Sequence, residues 1–180
     1  MATTLDRPTH AADVSSTSTS RAGKVFAIVR IGLGWIFLWA FLDKFFGLGN
    51  TTPSDKSWLF GTGNGSPTKG FLSAAAGPFG SFYQGIAGAG WANWLFMLGL
   101  LGIGVGLMTG LAFRLSAICG IVMLVMMWSA SLPIKNNPFL DDHIIYSLTL
   151  LGMIFLGSGH VWGLGSWWDR LVGDKVPFLK

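Results

Sequence analysis

Two short clusters of ionisable residues carry the chemistry this chain could perform. Asp43 and Lys44 form one, and Asp141, Asp142 and His143 form the other, with Tyr146 four residues beyond Asp142 and so on the same helical face. Carboxylate, ammonium, imidazole and phenol together could pass protons while a quinol or another two-electron carrier reacts, histidine being the side chain that changes charge nearest neutral pH. Asp43, Lys44, Asp142, His143 and Tyr146 are therefore the candidate catalytic residues, if the helices bearing them are neighbours. An alternative explains each charge separately: Asp141 and Asp142 stabilise the positive end of a helix, and Lys44 snorkels from the end of another. Arg30 is the other costly residue, on a face with Gly34, Phe37, Phe41 and Lys44. Its guanidinium needs oxygens, which could belong to lipid phosphate, to backbone carbonyls, or to a bound anion or quinone carbonyl. Arg114 reads either as a topology anchor or as a ligand.

These residues must be positioned by membrane helices. The 180-residue chain is 51% apolar and 11% charged, and 44 residues from Gly70 to Phe113 carry no charge. Soluble domains carry about 25% charged residues, and about 20 apolar residues cross a bilayer. The predicted fold is all-α, a four-helix transmembrane bundle with spans at about 25–46, 91–108, 115–132 and 144–159. Residues 1–22, rich in Ser and Thr, read as a disordered tail; 23–172 form the membrane domain, and 173–180 a C-terminal end. Phe71 to Ala89 is also free of charge, but only Gly90 separates it from the Trp91 span. A bilayer hairpin cannot turn on one residue, so this stretch reads as short interfacial helices within a long outer loop, 49–90.

Lys and Arg counts set the orientation. Arg7, Arg21, Lys24, Arg114, Arg170, Lys175 and Lys180 lie on one side, and Lys44, Lys56, Lys69 and Lys135 on the other. Both termini are thus expected in the cytoplasm. Gly99, Gly102, Gly106 and Gly110 give overlapping small-xxx-small spacings suited to close helix packing. The lone Cys119 lies within an apolar run and reads as packing, without a disulfide. His10, His143 and His160 are too dispersed for a three-His site, and neither metal nor haem is expected. The scattered basic residues form no stripe for nucleic acid.

Three segments, VRIGLGWIFLWAFLDKFFG, GFLSAAAGPFGSFYQGIA and NPFLDDHIIYSLTLLGMIFLGSGHVWGLGSWWDRL, together resemble the DoxX/DoxD-like membrane proteins over about residues 25–172. Arg30, Gly34 and Lys44, the Asp-His-Ile-Ile-Tyr start of the fourth span and the closing Trp-Gly segment carry the likeness. The resemblance implies a four-helix protein of bacterial or archaeal plasma membranes. Its best-defined relatives are a subunit of thiosulfate:quinone oxidoreductase, which oxidises thiosulfate to tetrathionate and passes electrons to quinone. By that likeness Lys44 and His143 would bind the anion and Arg30 the quinone. The soluble second subunit of that enzyme is not part of this chain, and one Cys offers no sulfur relay.

Two functions follow as expectations. The first is a membrane subunit of a quinone-linked oxidoreductase, for which the resemblance implies the thiosulfate:quinone type, with an outer-facing polar site. The second is a non-catalytic integral subunit that anchors or stabilises a respiratory or redox complex. Expected partners are membrane lipid, quinone and other membrane or redox subunits. A solute pathway would need polar residues at mid-membrane, and between Arg30 and Asp43 the first span offers none beyond tryptophan.

Overall fold

The computed structural model describes residues 21–61, 65–135 and 137–172, so the predicted tail, apart from its last two residues, and the end 173–180 lie outside the described residues. The described residues form α-helices and one 3-10 turn, with no strand among them. In chain order the helices are α1 (Arg21–Phe46), α2 (Lys69–Ser73), α3 (Gly80–Ile86), α4 (Gly90–Thr109), α5 (Phe113–Ala130), α6 (Asp142–Phe155) and α7 (Gly165–Val172). The stretch expected to hold interfacial helices contains α2 and α3, both short.

Three helices, α1, α4 and α5, are long and apolar enough to cross a membrane. With 26, 20 and 18 residues, they reach about 39, 30 and 27 Å at 1.5 Å per residue, against a hydrocarbon core of about 30 Å. The fourth expected span is shorter than its sequence suggests. α6 has 14 residues, or about 21 Å, because the chain leaves the helix at Gly157 (φ 61°). There Ser158 N–H donates to Met153 O and Gly157 N–H to Ile154 O, the paired bonds of a Schellman stop.

The helices pack in a ring, α1 on α4, α4 on α5, α5 on α6, with a lighter contact closing α6 onto α1. A core of Leu33, Phe37, Met97, Leu100, Ile103, Leu107, Phe113, Ala117, Leu124, Leu150 and Met153 fills the centre. Large apolar side chains also point outward, among them Ile28, Trp35, Ile36, Leu95, Leu98, Ile118, Val122, Leu148 and Leu151. A helix apolar on every side needs an apolar medium around it, and here the buried positions include the polar Arg30, Asp43, Asn93, Ser116 and Ser147. Cys119 is exposed on α5 rather than packed within the bundle.

Close approach of α1 and α4 rests on two glycines. A Cβ at Gly34 would lie 2.8 Å from the backbone nitrogen of Met108, and one at Gly104 would lie 2.8 Å from that of Leu38. Of the four glycines with small-xxx-small spacing, Gly99, Gly106 and Gly110 are tightly packed, whereas Gly102 faces open space.

Candidate functional site

The bundle has two ends, each closed by a loop tied to α1. At the first end, α1 stops at Phe46, and Gly47, with φ 70°, turns the chain back. Asp43 is buried there at 1% exposure. Its carboxylate accepts from Asn50 N–H (3.2 Å), Thr51 N–H (3.1 Å) and Thr51 Oγ1–H (2.6 Å). These are charge-assisted bonds that hold the loop on the helix end. Trp58 N–H then donates to Lys44 O at 2.9 Å, and the Trp58 indole meets Trp94 edge to face at 4.7 Å. The Lys44 side chain is half-buried and has no carboxylate within 4 Å among the described residues.

The rest of this loop is fastened to α4 by Asn93. Its Oδ1 accepts from Ser66 Oγ (2.9 Å) and Thr68 Oγ1 (2.6 Å), while Tyr83 OH meets Ser129 Oγ at 2.6 Å near the end of α5. Trp58, Lys69, Gly88 and Asn93 border a polar cavity of about 460 Å³ here.

The second cluster stands at the start of α6, at this same end of the bundle. Asp141 is the N-cap: one oxygen accepts from Ile144 N–H at 3.2 Å and the other lies 2.7 Å from His143 Nδ1. Asp142 is 3.5 Å from the same nitrogen but 68% exposed. The ligand atoms of Asp141, Asp142 and His143 lie within 4.8 Å of one another, a spacing that a cation could bridge, although Asp141 is already occupied by the cap and the imidazole. Tyr146, one turn on, packs against the apolar core. His143 and the aspartates thus meet as expected, but no hydrogen bond or ion pair joins them to Asp43 or Lys44 among the described residues. The light contact between α1 and α6 is the physical reason.

At the other end, Arg30 is completely buried. Of the oxygen sources open to it, the structure uses backbone carbonyls. Nη1 donates to Gly159 O at 3.1 Å, and Nη2 to Val161 O at 3.2 Å and Trp162 O at 3.1 Å. Its Nε has no hydrogen-bond partner among the described residues. Leu164 N–H closes the same loop onto α4 through Thr109 O at 2.7 Å. Beyond it, His160 Nε2 lies 2.6 Å from Asp169 Oδ2, a pair nine residues apart that sequence reading missed because α7 brings it together. Asn93 was missed likewise, since its role depends on loop residues that no helical period marks.

What the arrangement offers chemically is a carboxylate–imidazole pair at each end of the bundle, Asp141–His143 and Asp169–His160, and two buried ionisable residues, Asp43 and Arg30, that hold loops in place. Compared with models of protein families, with curated proteins and with solved structures, the chain matches none.

Proposed function

We propose that the protein is a non-catalytic integral membrane subunit that anchors or stabilises a redox assembly, with both termini in the cytoplasm of a bacterial-type plasma membrane. One observation carries this reading: Arg30 and Asp43 direct their hydrogen bonds to this chain's own loops. Groups engaged in that way stabilise a shape and are not poised for a reactant. Four helices crossing as a bundle, α6 being helped by the turn at 156–160, give that shape. The resemblance to DoxX/DoxD-like proteins supplies the redox context, and the outer loop supplies a surface for a partner.

A second reading, a quinone-linked oxidoreductase subunit of thiosulfate:quinone type, is favoured by the Asp141–His143 pair at 2.7 Å with Tyr146 one turn along. That pair could relay a proton at the outer surface, with Asp43, Lys44 and Asp142 around it and quinone held near Arg30.

One experiment separates the two. The protein is purified from its native membrane in mild detergent, alone and with whatever remains bound, and thiosulfate-dependent quinone reduction is measured for wild type and His143→Ala. In the anchoring reading, turnover follows the partner, and the isolated chain has none. Turnover by the isolated chain that His143→Ala abolishes, with the fold intact, would replace it with the catalytic reading.

A further inference from the structure

The Arg30 end of the bundle contains a cavity of about 270 Å³ between the start of α5, the end of α6 and α7. Its walls include Phe113, Arg114, Ile154, His160, Trp168 and Asp169, and Gly110 and Gly159 form part of its lining. Thr109 and Phe113, the adjoining ends of two helices long and apolar enough to cross a membrane, flank it; with those helices spanning a bilayer, it would lie at the level where hydrocarbon gives way to headgroup.

The charges around this cavity are unequal. Asp169 is the only carboxylate in the lining among the described residues, and it faces His160 at 2.6 Å. His160 is engaged at both ring nitrogens, the second facing Gly157 O at 3.1 Å, so it shapes the wall without an N–H to offer. Arg114 is different: it lines the cavity, is exposed, and lies within 4 Å of no carboxylate among the described residues. A second cation lies behind the lining, because a Cβ added at Gly110 would collide with Arg30 Nη1. Arg30 also has no carboxylate within 4 Å among the described residues and faces only carbonyl dipoles. In surroundings of low dielectric constant its field is weakly screened and reaches the cavity. Phe113, Ile154 and Trp168 supply apolar surface to the same lining.

We propose that this cavity binds a phosphate group of net negative charge, with Arg114 as the guanidinium that grips its oxygens and Arg30 as a fixed positive charge behind it. Guanidinium matches two phosphate oxygens at once, and basic pockets beside membrane helices suit anionic headgroups. The phosphate could belong to an anionic phospholipid, whose glycerol and first methylenes would lie along Phe113, Ile154 and Trp168, or to a soluble phosphate. Arg114 thereby changes from topology marker to ligand-binding residue. The inference is independent of whether the subunit is catalytic.

The test uses the full-length protein in detergent with three probes: dioctanoyl phosphatidylglycerol, dioctanoyl phosphatidylcholine and inorganic phosphate. Binding is read by native mass spectrometry and by the shift in thermal midpoint. Phosphatidylglycerol is expected to bind about tenfold more tightly than phosphatidylcholine, the discrimination one charge-assisted contact supports. Arg114→Gln should abolish that preference and Arg114→Lys retain part of it. Arg170→Gln, which removes a cation from α7 outside the cavity lining, should change nothing. Inorganic phosphate that binds in an Arg114-dependent way and displaces the lipid would identify the soluble source, and failure to do so the lipid one. Equal binding of the two lipids without phosphate binding overturns the proposal, as do equal losses in the Arg114 and Arg170 variants. Arg114 is exposed, so its variants should match the wild-type midpoint without ligand, and the comparison stays interpretable.

Discussion

Arg30 donates through Nη1 to the carbonyl oxygen of Gly159 at 3.1 Å, across 129 residues of sequence. That bond and its two neighbours to Val161 and Trp162 join the first helix to the last loop. The guanidinium gives three loop carbonyls a donor, and they in turn solvate its charge.

Arg30→Met should therefore destabilise the protein by on the order of 3 kcal/mol, since the removed donors leave buried carbonyls unsatisfied. Arg30→Lys should recover only part of this, because a single ammonium does not reproduce a planar fork spread over three acceptors. Tryptophan-monitored thermal unfolding in one detergent would show it. A Met variant as stable as wild type would remove the structural role assigned to Arg30.

Asp43→Asn should loosen residues 47–52 while leaving the core packed. An amide keeps one acceptor oxygen but presents N–H groups where Thr51 also presents N–H and O–H. Hydrogen exchange at the Asn50 and Thr51 amides should accelerate at least tenfold, with the amides of α5 unchanged.

Gly104→Ala should separate α1 from α4 at a cost of about 1–3 kcal/mol, because the new methyl would meet the Leu38 backbone and not a yielding side-chain tip. Gly102→Ala, two residues earlier with nothing within 4 Å, should be neutral or slightly stabilising through helix propensity. Equal effects in chemical unfolding of the two variants would contradict the close α1–α4 packing.

Asp141→Ala should cost about 1 kcal/mol by removing the cap on Ile144 N–H. Asp142→Ala, at a position 68% exposed, should leave the thermal midpoint within a degree of wild type. A larger loss for Asp142 than for Asp141 would indicate that α6 starts differently.

Features governed by local composition were readable from the sequence alone. Expected spans at 91–108 and 115–132 fall within two residues of α4 and α5, since apolar runs bounded by turn residues set those limits. A bilayer hairpin cannot turn on Gly90, and the stretch before α4 holds the two short helices α2 and α3. Long-range partners were another matter. Arg30 in an apolar run needs oxygens, but nothing in its sequence neighbourhood identifies carbonyls at 159–162 as their source. Small-xxx-small spacing runs through Gly102 and Gly106 and passes over Gly104, because spacing does not reveal which face meets α1. The gathering of Asp43 and Lys44 with Asp141 to His143 required close contact of α1 and α6, a matter of bundle order that periodicity cannot encode.

The Arg30 lock also constrains biosynthesis. The ribosome delivers the first helix long before the carbonyls of Gly159, Val161 and Trp162 exist, so a nascent α1 entering a membrane would carry a cation whose final partners are still untranslated. Until the loop after α6 emerges, lipid phosphate, water or an insertion chaperone must shield that charge. Completion of that loop thus supplies the carbonyls that Arg30 meets in the finished protein, and a chain cut short after Phe155 would lack all three of them.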